Sequence, residues 1–173
     1  MWTRGYTATS PKAILAAAGV GQGSMYHYFE SKEALALEAI RVNKAELRDF
    51  IESDVTIAGS VVDRIERYLL KYRDVLKGCK FGRLAQDPYV VESPALQAEV
   101  DEMFSWMCAR LARVITQGQD DGELPADLNS GDIGTMVVAV VEGGYVLARG
   151  QNDPEAFTAA ARGAVDLLRR VRL

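Results

Sequence analysis

The sequence predicts an all-α protein in which a small helix-turn-helix unit is joined to a larger helical body. Three observations predict it. Apolar residues recur at three- and four-residue steps, as they do on helix faces, and do not alternate with polar ones as in a strand. Cap residues mark helix starts, several with proline behind them: Ser10-Pro11, Ser31, Ser93-Pro94, Asn129-Ser130 and Asp153-Pro154. No hairpin dipeptide separates two strand-like runs.

The stretch from Thr9 to Leu35 organises the chain. Ser10 caps a short alanine-rich helix over Lys12 to Ala18, with Pro11 at the first helical position, where a missing N–H costs nothing. Gly19 closes it, being tolerant of left-handed backbone angles. Val20 is read as an apolar plug in the turn. Gln22 to Tyr28 makes about two more turns, on which Met25 and Phe29, four apart, face inward together. Ser31 then caps a long helix starting at Lys32. Helix, glycine-containing turn and second helix is the layout of a DNA-reading motif. The second helix carries Gln22, Gly23, Ser24, Tyr26 and His27 where a plain surface helix would carry Glu and Lys. Donors, acceptors and a small residue for close approach suit phosphates and base edges. Tyr28 is read as packing.

The remaining elements follow by periodicity. Lys32 to Glu52 is a helix with Leu35, Ala39, Val42, Leu47 and Ile51 along one face, and Thr56 to Ser60 is a break. Val61 to Leu76 is a helix closed by Gly78. Phe81 to Gln86 is a short piece before Asp87-Pro88. Ser93-Pro94 starts a helix to about Gln119. Asn129 or Ser130 starts one to about Arg149 that is apolar nearly all round and so is expected to be buried on more than one side. After a turn over Gly150 to Asp153, the last helix carries Phe157, Ala161, Ala164, Val165, Leu168 and Val171 on one side.

At 173 residues and 49% hydrophobic, the chain can bury a real core. A net charge of −4 excludes a basic nucleic-acid binder overall. Residues 1–45 nonetheless hold Arg4, Lys12, Lys32, Arg41 and Lys44 against Glu30, Glu33 and Glu38, a small positive excess on an otherwise acidic chain. Cys79 and Cys108 fit no spaced metal motif, and His27 is the one histidine. No metal site, no cofactor and no catalytic set is expected, so an enzyme reading is set aside. With no signal peptide and no apolar run near about eighteen residues, the expected setting is cytoplasmic, with reduced thiols and no membrane.

Gly5-Tyr6, Thr9-Ser10, Ile14, Ala17-Ala18-Gly19-Val20, Gly23-Ser24-Met25-Tyr26-His27-Tyr28-Phe29 and Ser31-Lys32-Glu33 resemble the N-terminal domain of the TetR/AcrR family of bacterial repressors. Gly78-Cys79 to Asp87 and Gly122-Glu123-Leu124-Pro125 look like a small-ligand-responsive branch of it, a weaker match. The resemblance implies a first helix before Gly5-Tyr6, of which only Met1 to Arg4 are present, so the three-helix unit is expected to be truncated at its N-terminus. Gly21 stands where the family usually has Ser or Thr as a cap. The implied organisation is a helix-turn-helix DNA-binding domain over 1–45 and a helical effector-binding and dimerisation domain over 46–173. The implied partners are double-stranded operator DNA, a largely apolar small-molecule effector, and a second copy through the last two helices, where Gly143-Gly144, Ala148 and the alanines at 159–161 and 164 allow close approach. A dimer would set two reading helices on a palindrome.

The residues expected to bind DNA are Thr9, Ser10, Gln22, Gly23, Ser24, Tyr26, His27 and Lys32. Lys32 is odd at a helix N-terminus, which hints at a phosphate. The residues expected to line the effector site are Tyr68, Tyr72, Phe81, Met103, Trp106, Met107, Met136, Glu142 and Tyr145, because such sites are mostly apolar with a few polar groups. The function expected is a ligand-responsive transcriptional regulator, a repressor released by an inducer. The alternative is a helical ligand-binding or interaction module without DNA binding.

Overall fold

The structure is a computed structural model describing Trp2, residues 4–21, Met25 and residues 27–173. Among these residues all regular structure is helical. The chain divides into two compact units, Met1–Glu46 with Lys80–Met103 and Leu47–Cys79 with Phe104–Leu173.

The first unit opens with α1, Pro11–Ala18. Ser10 caps it by accepting from Ala13 N, and Gly19 ends it at φ 67°. Met25, His27 and Tyr28 are helical. The long helix α2, Lys32–Val55, starts where Ser31 Oγ accepts from Ala34 N at 3.0 Å. Two short helices follow later in the chain, α4 (Lys80–Ala85) and α5 (Pro88–Glu92). Asp87-Pro88, which follows the short piece expected over Phe81 to Gln86, starts α5, since proline suits a first helical turn. The helix α6, Pro94–Asp120, begins in this unit. The unit's core joins Tyr6, Leu15, Met25 and Ile40 to Phe81, Val90, Leu96 and Met103, all buried. Lys44, itself buried, pins α2 to α6 through Glu99 at 2.6 Å and Glu102 at 2.5 Å. Burial alone would lower the Lys44 pKa, but the two carboxylates outweigh it and raise it.

The second unit holds α3 (Val61–Leu70), α7 (Ser130–Gln151) and α8 (Glu155–Val171). Ser60 and Asn129 cap α3 and α7 with their side-chain oxygens. The helix α8 packs against both α7 and α3. At Gly134 the backbones of α7 and α6 touch: an added Cβ would lie 2.7 Å from Ala112 N and Cys108 O, so no larger residue fits.

Three sequence expectations change here. The helix from Val61 stops at Leu70, not Leu76. Lys71 leaves helical angles, and Arg73 Nε donates to Lys71 O at 3.2 Å while its Nη2 donates to Tyr68 O, consuming carbonyls at that helix end. The helix starting at Ser130 runs on through Gln151 and closes on Asn152 in the left-handed region at φ 52°. It is also long and apolar enough to cross a membrane by length and composition, contrary to the sequence reading, although core helices pass the same test. Val146 and Leu147 on it are exposed in this chain.

Candidate functional site

The segment carrying the expected DNA contacts lies wholly in the first unit. Its buried side chains are Leu15 on α1 and Met25, which is 4% exposed, and Ala36 and Ile40 of α2 are buried in the same unit. Burial of Leu15, Met25 and Ile40 helps hold the turn by the hydrophobic effect, each contributing about 1.5–3 kcal/mol. The outward side presents Ser10, Gly21, His27 and Tyr28. Tyr28 is 76% exposed and meets the edge of the His27 ring, so it does not pack inside as its apolar body suggests. Val20 is likewise exposed and does not plug the turn. Gln22, Gly23, Ser24 and Tyr26 lie outside the described residues.

Two of the expected contacts point inward. Thr9 is 6% exposed, and its hydroxyl donates to Gly5 O at 2.6 Å. Lys32 Nζ donates to Tyr6 O at 2.7 Å and stands 3.9 Å over the Tyr6 ring. Burial lowers the Lys32 pKa. Both residues brace the segment over Gly5 to Thr9. The oddness of a lysine at the start of α2 is thus met by an internal carbonyl and a ring face.

That bracing continues into a clamp that sequence reasoning missed. Asp87, at the start of α5, accepts from Thr7 N at 2.8 Å and from Thr7 Oγ1 at 2.5 Å, across 80 residues of sequence. Burial pushes the Asp87 pKa up, but Thr7 and the nearby amides of Val90 and Tyr6 outweigh it and hold it below the usual carboxylate range. Gly5, at φ 79°, leaves room for the carboxylate: a Cβ there would sit 2.8 Å from Asp87 Oδ2. The Tyr6 ring stacks on Tyr89 at 4.8 Å, and Tyr89 OH donates to Glu33 at 3.0 Å. Burial and these neighbours push the Tyr6 pKa up to about 12. This segment is therefore mounted on α5 as well as on α2.

The expected effector residues divide between the units. Phe81 and Met103 are buried in the core of the first. Tyr68, Tyr72, Trp106, Met107, Met136, Glu142 and Tyr145 belong to the second. There Tyr72 is 90% exposed, because α3 ends before it. Met107 is buried, and Trp106 lies half-buried under the Arg48 guanidinium at 5.2 Å. Tyr68, Glu142 and Tyr145 do come together, around two residues absent from the sequence-based set, Arg73 and Cys79. The Arg73 guanidinium stands 5.3 Å from the Phe50 ring centre, 5.1 Å from Tyr68 and 5.2 Å from Phe157. The Tyr145 ring leans on Phe157 at 5.2 Å. Burial raises the Glu142 pKa, and the Cys79 thiol and the Arg73 charge only partly offset it. Burial also pushes Tyr145 up to about 12. The signal available in sequence was a lone Glu in the apolar run from Ile133 to Leu147.

Comparison with known proteins adds the following. The model for bacterial regulatory proteins of the tetR family matches residues 1–39, and the model for the tetracyclin repressor-like C-terminal domain matches residues 59–164. The HTH-type transcriptional repressor DhaR of Mycobacterium sp. (strain GP1) is 27% identical over 143 residues, spanning 81% of this chain and 72% of that protein. Among solved structures, a TetR transcriptional regulator from Chloroflexus aurantiacus J-10-FL superposes with a TM-score of 0.87 at 24% identity, covering 99% of this chain and 90% of the other. A cysteine mutant of the TetR family transcriptional regulator CifR, complexed with 26bp double-strand operator DNA, superposes at 0.81 with 23% identity, over 95% of this chain and 89% of that one.

Proposed function

The chain belongs to the tetR family of bacterial regulatory proteins, and on that premise we propose that it is a cytoplasmic, dimeric repressor that leaves its operator when a small molecule binds. One observation carries the DNA-reading role. The segment around the turn buries Met25 and Leu15 on one side and presents Ser10, His27 and Tyr28 on the other. A segment held firmly by its core and polar on its free face can enter a major groove without reorganising. Ser10, His27 and, outside the described residues, Gln22, Gly23, Ser24 and Tyr26 are the proposed contacts. Thr9 and Lys32 act by bracing, at one remove from DNA. The proposed reading domain is 1–45 and the proposed effector and dimerisation domain 46–173.

The dimer is proposed through α7 and α8. Val146, Leu147, Leu167 and Val171 on these helices are exposed in the single chain, as apolar residues waiting for a partner would be. Two copies would place two reading segments on a palindrome, and an effector would favour the state that does not fit it. No catalytic role is proposed, in keeping with relatives that are regulators.

The test is a salt-dependent titration of the chain against duplex DNA from just upstream of its own gene, with unrelated DNA as competitor. Affinity should fall steeply with salt as counterions are released, and should survive the competitor. Tyr26→Ala and His27→Ala should each weaken it by at least about tenfold, the loss of one good contact. Unchanged affinity in both variants, or no preference over competitor, sinks the reading and leaves a ligand-binding module without a DNA role.

A further inference from the structure

Beside the clamp between Asp87 and Thr7 lies a cation that the clamp does not use. Arg83 stands in the last turn of α4, four residues before Asp87. Its Nη2 is buried and has no hydrogen-bond partner among the described residues. Withdrawing a guanidinium N–H from water with nothing to donate to costs folding energy, so such a group calls for an explanation. A strong acceptor borders the same space. A Cβ placed on Gly5 would lie 2.8 Å from Asp87 Oδ2 and 3.9 Å from Arg83 Cδ. Because residue 5 is a glycine, the arginine stem and the carboxylate face one small gap that no side chain fills.

Asp87 itself is occupied in a particular way. It stands at the N-cap of α5 yet makes no capping bond to that helix. Both of its oxygens turn to Thr7, Oδ2 to the N–H at 2.8 Å and Oδ1 to the hydroxyl at 2.5 Å. Thr7 thus holds the carboxylate with one donor on each oxygen, which is also how a guanidinium fork holds one. Both grips need the same pair of oxygens, so one excludes the other. We infer that Thr7 and Arg83 are rivals for Asp87, and that the winner decides whether the segment leading into α1 is positioned to read DNA. With Thr7 bound, residues 5–9 are tied to α5 and run through Ser10 into α1. With Arg83 bound, Asp87 is satisfied within its own stretch of chain and that tie is gone. Lys32 on Tyr6 O and the stacking of Tyr6 on Tyr89 serve in both states, so the exchange is local and not an unfolding. Arg83 is a positioning residue, acting on DNA only through Asp87 and Thr7. This rests on the DNA-reading role given above.

Rivalry gives Arg83 an effect on DNA binding opposite in sign to its charge. A cation on a DNA-binding domain ordinarily strengthens binding by attracting phosphate, and removing it weakens binding. As a rival of Thr7, Arg83 opposes binding, and removing it helps. In the parent chain the clamp is formed, so little affinity remains to be gained. The effect emerges where the clamp has been loosened, because apparent affinity scales with the fraction of chains in the competent state.

Two readouts on the full chain test this, one without DNA and one with it. Thr7→Val removes the hydroxyl at nearly constant shape and leaves the amide of residue 7 as a reporter. Without DNA, Arg83→Met should raise the protection of that amide from hydrogen exchange at least about threefold, and Thr7→Val should lower it. Against the duplex from upstream of its own gene, Thr7→Val should lose at least about fivefold in affinity, and the double variant Thr7→Val with Arg83→Met should recover most of that loss. Arg83→Met alone should bind within about twofold of the parent. Should Arg83→Met fail to fold, Arg83→Gln, neutral and a weaker competitor, should move both readouts in the same directions. Unchanged or lower protection of amide 7 on replacing Arg83 overturns the rivalry, whatever the operator titration shows. A double variant that binds no better than Thr7→Val overturns it too, and leaves Arg83 an ordinary electrostatic contributor or a bystander.

Discussion

Asp87 in the first unit and Glu142 in the second are both carboxyl groups taken partly out of water, and their acidities move in opposite directions. Burial is the largest influence on each and pushes both upward. At Asp87 a hydroxyl and backbone amides converge and more than reverse it; at Glu142 the Cys79 thiol and the Arg73 charge only partly offset it. Burial alone therefore does not decide a carboxyl's state. The number and aim of N–H and O–H donors do, and those donors leave one group a stronger acid than usual and the other a weaker one.

The largest expected effect breaks the clamp side of this contrast. Asp87→Ala strands Thr7 N–H and its hydroxyl and should destabilise the chain by about 3 kcal/mol, two hydrogen bonds to a charged acceptor. Urea unfolding checks it, and a loss below about 0.5 kcal/mol would show the clamp to be ornamental. In the parent, the depressed pKa means this contribution is present above the unfolded pKa of about 4 and disappears as pH falls through the lower folded value. Gly5→Ala attacks the same contact from the other side. Its Cβ would meet Asp87 Oδ2 at 2.8 Å, at a φ that L-residues resist, so a cost of about 1–2 kcal/mol is expected by the same measurement. The smallest effect sharpens the second half of the contrast. Because Glu142 is more basic folded than unfolded, it lends stability below its unfolded pKa and loses it as pH rises through the folded one. Glu142→Gln should remove that decline, a change in the slope of stability against pH of at most about 1.4 kcal/mol per unit. An identical slope in both proteins would mean that Glu142 is no more basic folded than unfolded.

Local chemistry was what could be read ahead of the structure. Ser10, Ser31 and Asn129 accept from amides two or three residues on, a bond whose geometry is set within one turn, so helix starts were legible. Inward positions such as Leu111 and Val165 follow from helical spacing for the same reason. Helix ends were less so. The stop at Leu70 depends on Arg73 folding back over three rings, two of them distant in sequence. The clamp depends on a partner 80 residues away, and no short-range pattern marks it. Lys32 and Thr9 were assigned to DNA because their chemistry suits phosphate. Their actual partners, Tyr6 O and Gly5 O, are backbone atoms, which a sequence does not advertise as destinations. The expectation that Tyr72 lines the effector site assumes a helix running to Leu76, and it fails because the helix ends at Leu70 and leaves Tyr72 exposed.

The way Asp87 is held also bears on how such chains can drift over generations. Part of its grip is on amides, at residues 6, 7 and 90, and every residue but proline brings an amide. The bonds to those amides do not depend on the side chains at 6 and 90, which are held instead by their own burial and, for Tyr6, by stacking on Tyr89. Three positions cannot change one at a time: a glycine at 5, a hydroxyl at 7 and an acid at 87. In a collection of related sequences these three should therefore be gained and lost together, a linked triplet joining two ends of a long stretch.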